Sequence, residues 1–105
     1  MITTTTSFIE GKPVQQYLGI VSSEAIIGAN VFKDLLANLR DIAGGRSATY
    51  EKVIDEARTI ALNELVQKAQ SLGANAIIGI DLDFETVGGA GSMLMVLATG
   101  TAVRI

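Results

Sequence analysis

A chain of 105 residues with a net charge of −3 has room for one domain and lacks the basic footprint that a nucleic-acid backbone requires. Charged residues make up only 18% against 49% apolar, so some surface of so small a chain is expected to be covered by something else. Cysteine and histidine are both absent, which removes disulfides, thiolate nucleophiles, the commonest general base and the commonest soft-metal ligands.

The opening "MITTTTSFIEG" has neither a basic start nor an apolar stretch, so it does not read as a secretion signal. Its β-branched residues 2–6 predict a short strand, and "EGKP" at 10–13 predicts a turn. "VQQYLGIVSSEAII" at 14–27 is strand-like, with the regular part expected near 14–22. Gly19 and the Ser22-Ser23 pair suggest a bend or bulge.

At "ANVFKDLLANLRDIAGG" the period changes. Phe32, Leu35, Leu36, Leu39, Ile42 and Ala43 follow helical spacing, with Asn30 as N-cap and Gly44 past the end. A second helix is predicted over 48–72. Its buried stripe reads as Val53, Ile54, Ala57, Ile60, Ala61, Leu65, Ala69 and Leu72, with Ser47 or Thr49 as cap and Gly73 closing it. Lys52–Glu56 and Glu64–Lys68 are spaced to pair along the exposed face.

Two strands follow, at 75–87 and 93–105, joined by the Gly-rich "GGAGS", which is a hairpin signal. A helical crossover makes the first and second long strands parallel, and the last strand is expected between them. The expected architecture is therefore α+β, in the order β-α-α-β-β. Two helices lie on one face of a mainly antiparallel three-stranded sheet of order 1-3-2, with a short extra N-terminal strand.

The last strand is apolar on both sides: Met93, Met95, Leu97 and Val103 share one face, and Leu94, Val96, Ala98 and Ala102 the other. Two helices cover one face of the sheet, and an identical copy is the economical cover for the other. The run "MLMVLATGTAV" is too short to cross a bilayer, so a membrane is not an expected partner and the expected location is the cytoplasm.

Asp81, Asp83 and Glu85 alternate, which places all three on one face of a strand opposite Ile80, Leu82 and Phe84. Oxygen ligands of this kind suit a divalent cation such as Ca²⁺ or Mg²⁺. A separation of about 6.6–6.8 Å between alternate residues does not bring them onto one ion unaided, so loops, Glu24, Asp55 or a second copy would have to contribute. The plainer reading is the wet side of a strand.

Arg46 and Ser47, at the predicted start of the second helix, suit either an anion or a contact between subunits. No P-loop, dinucleotide fingerprint or paired nucleophile and base occurs, so no enzyme is expected.

The segments "MITTTTSFIEGKPVQQYLGIV", "GANVFKDLLANLRDIAGGRSATYEKVIDEAR", "LGANAIIGIDLDFE" and "ATGTAVRI", in this order over nearly the whole chain, resemble the YbjQ-like proteins. These are small bacterial and archaeal proteins of uncharacterised function that carry a heavy-metal-binding label. The resemblance implies a two-layer β-α-β-β core related to the dodecin subunit and a ring-like homopentamer. It supplies no ligand motif to map onto residues of this chain. Two functions follow as expectations: a ring-forming assembly protein without chemistry of its own, or a cation-binding module using carboxylates between subunits.

Overall fold

A computed structural model describes residues 1–28, 30–31, 48–89 and 93–105, with side chains omitted at 48–50. Its elements are β1 (Ile2–Thr3), β2 (Gln16–Ile27), α1 (Ala48–Ser71), β3 (Ala76–Val87) and β4 (Met93–Arg104). The predicted helix that begins at Asn30 is seen only at 30–31, both helical; the rest of it, with Ser47, lies outside the described residues.

The sheet has four strands in the order β1-β3-β4-β2. β4 is antiparallel to both β2 and β3, and β1 adds to β3 in parallel through Ile2 and Thr3. The expected three-stranded sheet is thus extended by one strand. Only residues 2–3 of the threonine run join the ladder. The chain then follows β3 through single backbone bonds, Thr4 N–H to the Ile77 carbonyl at 3.0 Å and Gly79 N–H to the Thr6 carbonyl at 2.8 Å.

β2 runs to Ile27 and does not stop near residue 22. Its one irregularity falls between Tyr17 and Gly19, and the serine pair causes no bend. Ser22 faces solvent, while Ser23 is fully buried and its Oγ donates to the Ala61 carbonyl of α1. A serine inside a strand is stable there because its hydroxyl is satisfied.

α1 buries a narrow row in which each residue is four beyond the last: Ala57, Ala61, Leu65 and Ala69. Three of the four are alanine, so the helix lies close to the sheet and only that row makes full contact. Ile60, expected in the stripe, is 57% exposed, and Leu72 is 47% exposed. One residue is about 100° around a helix, which carries Ile60 off the contact line.

Gly73 ends the helix at φ +86°. Its N–H donates to the Gln70 carbonyl at 2.9 Å and the Ala74 N–H to the Ala69 carbonyl at 3.1 Å. This is a Schellman cap, and it satisfies carbonyls that the helix would otherwise leave orphaned. Glu64 and Lys68 pair at 3.7 Å, and Asp55 pairs with Arg58 at 2.6 Å.

The main core lies between α1 and one face of the sheet, where Val21, Ala25 and Ile27 of β2 meet Leu94, Val96, Ala98 and Ala102 of β4. A smaller core lies on the opposite face, formed by Ala76, Ile78 and Val103 under Ile9, Val14 and Ile105. The chain's own N-terminal segment therefore covers one end of the face that the sequence assigned wholly to a second copy. Val103 is fully buried there. Among the described residues no helix is long and apolar enough to cross a membrane.

Candidate functional site

Residues paired across a sheet point to the same side, so the ladder registers fix what the second face carries. From the edge of the small core at Ile78 its rows are Ile20–Thr101–Ile78, Ser22–Thr99–Asp81, Glu24–Leu97–Asp83 and Ile26–Met95–Glu85, with Met93 beside Val87 last. The predicted acidic row does share one face. It lies along β3, with the half-buried Met93, Met95 and Leu97 of β4 beside it and Glu24 of β2 on the far side of Leu97. None of these positions holds a lysine or arginine.

The row is in register because β3 bulges before it, not within it. The pairing skips between Ile78 and Asp81, with Gly79 at φ +62°. That left-handed conformation suits glycine, and it marks the first position of a bulge. The extra residue lets Ile78 face the small core, Ile80 face the main core, and Asp81 return to the second face.

Asp81, Asp83 and Glu85 are all exposed. The charge of Asp81 is the main reason that the Asp83 carboxyl is held above its ordinary value of 3.8; a hydrogen bond with Asp81, some desolvation and the charge of Glu85 add to it. A carboxyl raised in the folded chain binds more protons there than in the unfolded chain. Its contribution to stability therefore falls as pH rises through the raised value, and at neutral pH the ionised group opposes the fold. Asp83→Asn is accordingly expected to melt no lower than the parent at pH 7. It should also show a flatter pH dependence just above 3.8, which thermal unfolding across pH would check.

Close spacing of two acids does not make a metal centre. Among the described residues, no three acidic, His or Cys side chains are grouped so as to hold one ion. Glu24 lies in the row of Asp83 with a whole strand between them, a separation of about 9–10 Å at the usual strand spacing. Asp55 is on the exposed side of α1 and does not join the row. Arg46 and Ser47 lie outside the described residues.

A second surface was not anticipated from the sequence. β2 is an edge strand, with no neighbour on its outer side among the described residues. Large aliphatic side chains flank it: Ile20 is 83% exposed, Ile26 58% and Val31 47%. A groove lined by Ile26, Gly28, Val31, Val53 and Ile60 continues from the end of β2 onto α1. From α1, Lys68 Nζ reaches this strand's backbone and donates to the Ser22 carbonyl at 2.7 Å. The signal in the sequence was "AII" at 25–27: adjacent aliphatics in a strand cannot both face the core.

β3 has a free edge as well. β1 pairs with it only at Ala76 and Ile77, and backbone bonds from the N-terminal segment end at Ile80. From Asp81 to Val87 the outer side of β3 is unpaired among the described residues.

The chain resembles a solved structure over its full length. A crystal structure of a protein of unknown function from Pediococcus pentosaceus, belonging to the DUF74 family, matches 100% of this chain and 97% of its own at a TM-score of 0.55. The two are 22% identical, so the likeness is one of fold. A family model described as "Putative heavy-metal-binding" matches residues 1–105. With the whole chain matched and the α+β fold in place, this protein belongs to the YbjQ family.

Proposed function

We propose that this protein is a cytoplasmic assembly module whose partner is a copy of itself, and that its role is structural or interactive with no chemistry of its own. The observation that carries the proposal is the β2 edge: a twelve-residue strand, unpaired on its outer side among the described residues, flanked by Ile20 and Ile26 at 83% and 58% exposure. Such an edge is a template for another strand. Burying an isoleucine that size is worth roughly 1.5–3 kcal/mol.

The second free edge, on β3 from Asp81 onward, suits a ring. β2 and β3 run parallel because both are antiparallel to β4. The β2 edge of one copy can therefore continue the sheet of the next along β3. Such a head-to-tail contact repeats until it closes. An isologous β2-to-β2 dimer would leave the β3 edge bare. Five copies is the number implied by the resemblance to the YbjQ family.

Multi-angle light scattering at micromolar concentration tests the proposal. The parent is expected to run as a closed oligomer of at least three chains. Ile20→Glu and Ile26→Glu, which place charges beside the joining edge, are expected to shift it toward single chains with circular dichroism unchanged. A parent that runs as a single chain would end the proposal.

A second reading is cation binding between copies, favoured by the Asp81–Asp83 pair that already holds the Asp83 carboxyl up. The donor set does not suit a soft heavy metal within one copy, since the chain has no thiolate or imidazole and only three methionines. A hard divalent cation on carboxylates from two copies is the form that the residues support. Calorimetric titration with CaCl2, MgCl2 and CdCl2, repeated on D81N/D83N/E85Q, separates the readings. Heat that disappears in the variant supports cation binding, and no heat in the parent removes it.

A further inference from the structure

Of the surfaces outside the small core, the two free edges share a feature that edge pairing alone does not need. On the second face, the β2 edge carries Glu24, and the β3 edge carries Asp81, Asp83 and Glu85. The intervening β4 positions are Met93, Met95, Leu97, Thr99 and Thr101, so no cation occupies these rows, and Lys68, which reaches the β2 edge at the Ser22 carbonyl, is paired with Glu64 of its own helix at 3.7 Å. Within one copy Glu24 and the acids of β3 are held two strand spacings apart, about 9–10 Å.

Joining the edges halves that distance. The β2 strand of one copy would then lie about 4.7–4.9 Å from β3 of the next, with both open faces continuous. The three acids of β3 span about 13 Å along the strand, so Glu24 meets at least one of them over a range of registers. Like charges set side by side across strands oppose pairing.

We propose that assembly of this protein carries an electrostatic brake, set by Glu24 on one edge and Asp81, Asp83 and Glu85 on the other, which dissolved salt releases. The proposal rests on the self-assembly reading above. Its consequence is a reversed salt dependence. An interface held by opposite charges weakens as salt rises, whereas this one tightens. At 0.1 M salt charges are screened over about 10 Å, and near 1 M over about 3 Å, so the repulsion across the joined edges fades within that range. The dissociation constant is expected to fall roughly tenfold between 0.05 and 0.5 M NaCl.

The experiment follows urea dissociation of the full chain by sedimentation velocity at 0.05 and 0.5 M NaCl; urea is uncharged and leaves the ionic strength alone. The parent is expected to need more urea at high salt. Glu24→Gln is expected to resist urea better than the parent at low salt and to lose most of the salt response, as is D81N/D83N/E85Q. An assembled parent with a flat or falling salt response overturns the brake and leaves self-assembly standing. So does an E24Q variant and a triple variant that both keep the parent's full response. Single chains at both salt concentrations overturn the self-assembly reading, and the brake with it.

Discussion

Leu65→Ala is expected to cost about 2–5 kcal/mol of stability, the range for truncating a fully buried leucine. Leu65 is among the largest side chains with no exposure, and it is the one large residue in the row that α1 presses on the sheet. The upper half of the range is expected because the site has little means of collapsing. Ala61 and Ala69, one turn away on either side, are already alanine, and the sheet opposite is held by ladders on both flanks of β4. The void keeps most of the volume of the lost side chain, and the penalty grows with that volume. Urea unfolding at one fixed protein concentration checks it, since stability of a self-associating chain depends on concentration. Gln67→Ala, on the exposed side of the same helix, should stay within about 0.5 kcal/mol of the parent. Leu65→Met, which nearly conserves volume, should lose less than about 1.5 kcal/mol. Equal losses from Leu65→Ala and Leu65→Met would show that shape, not volume, governs this contact.

How much of this was legible depends on whether a feature is local. α1 could be read from its helical period, and β3 and β4 from two strand-like runs joined by the Gly-rich "GGAGS". The row of Asp81, Asp83 and Glu85 was legible for the same reason: the bulge at Gly79 lies before it, so alternation holds from Ile80 onward. The bulge itself was not foreseen, since Gly79 within "AIIGID" reads equally as an ordinary strand residue.

The length of β2 was misread because Ser22 and Ser23 look like breakers. Their tolerance comes from α1, where the Ala61 carbonyl, 38 residues away, accepts the Ser23 hydroxyl. No local pattern announces such a partner. The cover over Val103 was missed on similar grounds: Ile9 and Val14 sit in irregular chain with no period, yet they close one end of the second face. Ile60 shows the opposite failure. Its spacing fits the stripe, but a helix seated on alanines makes a contact too narrow to include it. The exposed flank of β2 that carries the proposed function is encoded in "AII", a signal three residues long beside the much longer two-sided apolar run of β4.

Gly100→Ala is expected to lose about 1–3 kcal/mol, as overpacking a filled core does. Gly100 lies in β4 opposite the β3 bulge, between the residues that pair with Ile78 and Asp81. A Cβ built there would come within 2.7 Å of Ile77 Cγ2, 3.2 Å of Ile80 Cγ1 and 3.3 Å of the Ile78 carbonyl oxygen. The first contact cannot be relieved by a swinging chain end. Ile77 is fully buried, and its γ2 methyl moves only if the whole β-branched side chain leaves its rotamer. The bulge thus delivers two isoleucines into the space that a side chain at 100 would take, and glycine there is a packing requirement. Gly79→Ala is the matched contrast. Its Cβ would meet nothing within 4 Å, but its φ of +62° is strained for alanine by about 1–2 kcal/mol. The two losses have different cures. Replacing Ile77 by valine removes its δ methyl but keeps Cγ2, so Ile77→Val should not rescue Gly100→Ala, whereas Ile77→Ala, which removes Cγ2, should lower the cost of Gly100→Ala and leave only the tight contacts with Ile80 Cγ1 and the Ile78 carbonyl. Neither change touches the backbone strain at Gly79, so Gly79→Ala should stay costly in both backgrounds. Thermal melts resolve these differences, because about 1 kcal/mol moves Tm by roughly 4–8 °C in a domain of this size.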